Sequence, residues 1–141
     1  MPTTVTFTVQ ARPDQWQYSN VSLAPGETAE ITASGTWGVI DPPKRGETGP
    51  AGNDVDAGHS FVKPGPPAKE GGLVVKDGAG NLYTFASNSA AVVIHVPGPI
   101  SFMANDDMKA PGGRHVGFED NRGALTANIA ITRTQNARSQ L

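Results

Sequence analysis

The sequence predicts an all-β fold, a jelly-roll or β-sandwich of about eight short antiparallel strands. Three observations carry that expectation. Apolar and polar residues alternate over several segments of about six to eight residues, the period-2 pattern of a strand with one buried face. Glycine and proline, 17 and 12 of 141 residues, fall mostly between these segments, where turns need preset or positive φ. No segment carries a sustained 3.6-residue apolar period, so no helices are expected between the strands.

Val5, Phe7 and Val9 alternate with Thr4, Thr6 and Thr8 in the first strand. Trp16, Tyr18, Val21 and Leu23 mark a second, which stops at the turn Ala24-Pro25-Gly26-Glu27. Ala29, Ile31 and Ala33 alternate with Glu30, Thr32 and Ser34 in a third, which reaches Gly35-Thr36-Trp37. The stretch from Gly38 to Gly71 holds half of the prolines and few large apolar residues. A loop this long inside a compact domain is commonly functional, and Asp54, Asp56, His59 and Phe61 set it apart from a simple linker.

Strand signals resume at Leu73–Lys76, Leu82–Ala86, Ala91–Val96 and Ile100–Ala104, separated by Asp77–Asn81 and Pro97–Pro99. Leu125–Ile131 is the last strand, and a polar tail begins at about Arg133. The length is that of one domain over residues 1–141.

Hydrophobic residues at 37% and charged residues at 17%, with net charge −2, supply one core and argue against disorder. The 11 basic residues are scattered and form no phosphate-binding face, so nucleic acid is not an expected partner. Cysteine is absent, which excludes disulfides and thiolate metal sites. Residues Met1–Thr6 lack a basic n-region and an apolar h-region, and no apolar run nears the ~20 residues of a membrane-spanning helix. A soluble protein is expected, without membrane insertion, either cytoplasmic or exported without a standard signal peptide.

The sharpest chemical feature is a pair of acidic loops, Asn105-Asp106-Asp107 and Gly117-Phe118-Glu119-Asp120-Asn121-Arg122-Gly123. Grouped carboxylate and amide oxygens at one end of a sandwich are the donors Ca²⁺ requires. Asx residues beside glycine also form simple turns, and both readings stand at this point. The spacing is not that of an EF-hand, and no HxH, HExxH or GxSxG pattern occurs. His95 lies in an apolar strand, whereas His59 and His115 lie in glycine-rich loops. Enzymatic activity is not expected.

Taken in order, several segments resemble the calcium-dependent galactose-binding lectins of bacteria, the PA-IL or LecA type. They are Val21–Glu27 with Ile31–Trp37, Gly49-Pro50-Ala51-Gly52-Asn53, Gly71–Gly78, Asn105-Asp106 and Asp120–Ile129. The likeness spans roughly residues 18–131. It implies a galactose-binding-domain-like sandwich with a loop-held Ca²⁺, bound by side chains of Asp106, Asp120 and Asn121 and by carbonyls of Gly117 and of Ile40 or Val39. It also implies that Asp56, His59, Asp106, Asp107 and Asn121 contact the sugar, with two sugar hydroxyls completing the coordination sphere. Galactose-containing glycans and a homo-oligomer follow as expected partners, since single-sugar affinity is weak and gains from multivalency.

This chain departs from the pattern in several places. Asp56 and His59 stand where the family has His and Gln, and Asp120 replaces an Asn. The loop from Asp107 to Gly117 is longer, and Asp41–Arg45 stands in place of an aromatic Tyr. These departures touch the sugar contacts more than the metal donors. Two other readings are weighed beside the lectin: a structural calcium with a protein partner or assembly, and a sugar hydrolase using Asp54, Asp56 and Glu119.

Overall fold

A computed structural model describes residues 3–38, 47–53, 55–108 and 121–133. Among them it contains nine strands in two antiparallel sheets and no helix: β1 (Thr3–Gln10), β2 (Gln17–Leu23), β3 (Glu27–Ser34), β4 (Trp37–Gly38), β5 (Leu73–Lys76), β6 (Leu82–Tyr83), β7 (Val92–Ile94), β8 (Gly98–Ala104) and β9 (Arg122–Arg133). One sheet runs β1-β9-β3-β7, with β4 also on β9, and the other runs β2-β8-β5-β6. The expected all-β sandwich is therefore the fold.

The alternation seen in the sequence is what sorts residues between core and solvent. In β9, Leu125, Ala127 and Ile129 are fully buried, while Thr126, Asn128 and Ala130 stay half-exposed on the outer face. This strand pairs along eight positions with β1, from Thr3↔Ile131 to Gln10↔Ala124. It pairs along eight more with β3, from Glu27↔Arg133 to Ser34↔Thr126. Hydrogen bonding on both edges explains why β9 extends to 12 residues, beyond the expected Leu125–Ile131.

The opposite sheet contributes Val21, Leu23, Leu73, Val75, Ile100 and Phe102 to the same core. Phe7 stacks on Phe102 across the interior, with ring centroids 5.8 Å apart. Burying each such side chain stabilises the fold by roughly 1.5–3 kcal/mol before entropy is counted.

The edge strands β6 and β7 are shorter than expected. The segment Leu82–Ala86 pairs only through Leu82 and Tyr83, on Lys76 and Val75. The segment Ala91–Val96 pairs only at Val92–Ile94, on β3. His95 thus falls just outside β7, exposed, with Nδ1 3.1 Å from Thr28 Oγ1. The ninth strand, β4, continues the line of β3 along β9 after an interruption at Gly35-Thr36. Gly35 has φ of 100°, which an L side chain rarely adopts, and the break turns Trp37 into the core. The β2–β8 register also shifts between Tyr18 and Ser22, where the Ser19 hydroxyl donates to Ile100 O and accepts from Val21 N.

The turn after β5 is built around Asp77, which is 3% exposed. Its carboxylate accepts from Ala79 N, Asn81 N, Asn81 Nδ2 and Tyr83 OH. Burial by itself would raise the Asp77 carboxyl, but these bonds outweigh it and hold the group below its ordinary value. Burial, then the hydrogen bond and charge of Asp77, pushes the Tyr83 phenol up to about 12. The same turn packs so closely that a Cβ on Gly78 would lie 2.2 Å from Pro97 O and 2.6 Å from Gly98 Cα, both backbone atoms.

Two outcomes are expected. Gly78→Ala should cost about 1–3 kcal/mol in denaturant unfolding, because backbone must move to admit the methyl group. Asp77 contributes stability that is present above its unfolded value of 3.8 and lost as pH falls through its folded one. For Tyr83 the stability is complete below 10 and lost as pH rises through about 12. Asp77→Asn should abolish the acid-side loss and bring the Tyr83 ionisation down from about 12, with burial still holding it above 10, read by phenolate absorbance. An unchanged Tyr83 titration would show that Asp77 does not hold it.

Candidate functional site

The two acidic loops leave from different sheets, and a chain of bonds through Trp37 brings their bases to one end of the sandwich. Trp37 is fully buried and pairs with Gly123 at the start of β9. Its backbone exchanges hydrogen bonds with Thr48, at 2.9 and 2.8 Å, and its indole Nε1 donates to Gly71 O at 2.7 Å. Gly71 N donates to Asn105 O and Asn105 N to Gly72 O, each at 2.8 Å. Asn105 directly precedes Asp106, and Asn121 lies two residues before Gly123.

The long loop closes over this end by a short antiparallel ladder against residues 106–108. Val62 N donates to Asp106 O at 3.2 Å, Met108 N donates to Ser60 O at 2.8 Å, and Phe61 and Asp107 form the bridge between them. The Ser60 hydroxyl donates to Asp107 Oδ1 at 2.7 Å. The Asn105 side chain adds three bonds: it accepts from Lys63 N and donates to Lys63 O and Lys69 O.

Besides Asn105, the side chains of Asp106 and Asn121 are buried here, at 6% and 4% exposure. Asp106 Oδ1 accepts from Asp107 N at 2.7 Å. Asn121 Nδ2 donates to Ala11 O at 2.8 Å, which fixes which end of the amide is nitrogen. Its Oδ1 is buried and has no hydrogen-bond partner among the described residues. A buried acceptor left so costs about 1–3 kcal/mol, and such groups in native proteins usually signal an unseen partner. A carboxylate and an amide oxygen are hard donors, suited to Ca²⁺ rather than to a soft metal.

Of the residues expected to hold the metal, Asp106 and Asn121 are thus at one end, buried. Asp120, Gly117, Ile40 and the alternative Val39 lie outside the described residues, as do Asp54, His115 and Glu119. Among the described residues, no group of three or more His, Asp or Glu side chains is placed to hold a metal ion by itself.

Of the residues expected to contact sugar, Asp107 is half-buried beside Asp106 and bonded to Ser60. His59 is exposed in the adjoining turn, which Phe61 N closes onto Gly58 O. Asp56 is exposed and tied to Lys69, both as a β-bridge pair and as an ion pair. An exposed pair of this kind contributes little to stability. Trp37, Ser60 and Asn105 were not singled out from sequence as residues that build the site. A buried Trp next to a turn and an Asn with both donor and acceptor capacity at a strand end are the signals that point to them.

Antiparallel β-sandwich with a polar, loop-built end is the class this fold and site define. No family model and no curated protein matches the sequence.

Trp37→Phe keeps the ring but removes the indole donor, leaving Gly71 O buried without it. A loss of about 1–3 kcal/mol in denaturant unfolding is expected. A loss below about 0.5 kcal/mol would show that the indole bond does not hold the two sheets' ends together.

Proposed function

We propose that this chain is a calcium-dependent carbohydrate-binding lectin with a preference for galactose-like ligands, and that it is not an enzyme. The observation that carries the reading is the buried Asn121 Oδ1, held in place through its amide nitrogen and lacking a donor among the described residues, at the end of the sandwich that also buries Asp106. Asp106 would supply negative charge and Asn121 a neutral oxygen, with Asp120 and the carbonyls of Gly117 and Ile40 completing the donor set. Bound there, calcium would supply a Lewis-acidic centre on which vicinal sugar hydroxyls replace water.

The chain's own polar groups would then orient the sugar. Asp107 lies next to Asp106 in the ladder, bonded through Oδ1 to Ser60, and His59 is exposed in the turn joined to it. His59 would meet hydroxyls above the metal directly, and Asp107 by sharing its carboxylate with Ser60. Asp56 would join them if a hydroxyl displaced Lys69, an exchange made cheap by the exposure of that pair. Multivalent display by a homo-oligomer would raise the weak affinity of a single sugar site.

One observation favours a second reading, a structural calcium in a module that binds a protein partner or assembles. Asp107 and Asp56 are already engaged inside the chain, by Ser60 and Lys69. Thermal unfolding in calcium against EDTA, with and without galactose, separates the two. A ligand at about a hundred times its Kd adds about 2.7 kcal/mol to the folded state. The lectin predicts a calcium shift with a further galactose increment, both lost in Asp106→Ala. A calcium shift with no response to any glycan supports the second reading. The absence of any calcium shift would remove the metal site altogether.

A further inference from the structure

We infer that Asn105 is a positioning residue of the site, docking the sugar-facing loop so that galactoside affinity depends on it while calcium affinity does not. The inference rests on the lectin reading above. Asn105 is fully buried and bonds backbone on both sides of the Pro64–Pro67 turn. Its Oδ1 accepts from Lys63 N at 2.9 Å, and its Nδ2 donates to Lys63 O and Lys69 O at 3.0 Å each. The side-chain carbonyl thereby takes the next step of the ladder after Val62 N→Asp106 O.

What hangs from these two anchor points is the sugar-facing part of the loop. Lys69 is the bridge partner of Asp56, and Ala57 N donates to Ala68 O beside it. Lys63 follows the ladder that seats Ser60 and Phe61, and His59 precedes it. The metal donors are held differently. Asp106 continues from β8, and Asn121 leads directly into β9 and is fastened to Ala11. One amide therefore extends the fastening of the loop beyond the ladder to Lys63 and Lys69, while the bond of Asn121 to Ala11 does not pass through it. A carboxylate in its place could not donate to two carbonyls, and a shorter side chain could not span both.

The test uses the full chain, with calorimetric titration of calcium into metal-free protein and then of methyl galactoside at saturating calcium. Asn105→Ala should weaken the galactoside Kd by about tenfold, the cost of ordering the loop anew on binding, and leave the calcium Kd within about twofold. Ser60→Ala, which spares the buried amide and guards against a variant that fails to fold, should weaken galactoside binding in the same direction by about threefold. Equal loss of both affinities, or unchanged galactoside affinity, overturns the inference. Hydrogen exchange gives a reading without ligand: the Lys63, Val62 and Met108 amides should lose protection in Asn105→Ala, and retained protection overturns the docking role. A wild-type chain that takes up calcium but no galactoside overturns the lectin reading, and the affinity claim with it, before any substitution is made.

Discussion

A long segment with almost no regular strand lies over one end of this sandwich, and its buried backbone groups must find partners without a ladder to supply them. That requirement shapes everything around the site. A buried carbonyl or amide without a partner costs as much as several favourable contacts gain. Trp37, Asn53, Asn88 and Asn105 meet the requirement with side chains, bonding Gly71 O, Val55 N, Ala51 N and the backbone of Lys63 and Lys69. These bonds stitch the loop to both sheets, and the loop in turn carries polar side chains to the place where β8 ends and β9 begins.

Asp77 and Asn121, both buried, differ in how far their polar atoms are met. Asp77, at the far end of β5 from the loop, has its carboxylate met by four hydrogen bonds, strongly enough to outweigh burial. Asn121 has one half of its amide bonded and the other, an oxygen, buried without a donor among the described residues. A chain that satisfies a buried carboxylate so fully in a structural turn does not leave an acceptor short for want of means. Under the calcium reading proposed above, Asn121 Oδ1 is the neutral oxygen that a hard cation would meet.

The strands were legible where one face is buried and pairing runs the length of the strand. Val5-Phe7-Val9 and Leu125-Ala127-Ile129 alternate because each strand turns one face to a single core. Legibility failed at the outer strands, where Phe85 is buried outside any ladder and hydrophobicity alone cannot mark where pairing stops. Asp106 and Asn121 were singled out from chemistry and their places beside strands, and the structure finds both buried. The roles of Asn105 and Lys69 were not, because they depend on which backbone groups a non-periodic loop brings opposite them. Sequence separation of 36 or 42 residues between bonded groups leaves no local pattern to read.

The position of Asn121 also connects the site to the frame of the fold. Its amide nitrogen bonds Ala11 O, and Ala11 N bonds Gly123 O, so the crossing from β1 to β2 is fastened beside the site. Ala11 is fully buried and marks the point where the chain leaves one sheet for the other. A ligand drawn to the Asn121 oxygen would therefore act on a residue that already fastens the end of β1 to the start of β9. A group that answers this buried acceptor would thereby also act on the fastening of β1 to β9, where the chain crosses to the other sheet, and its binding would be coupled to the folding of that end.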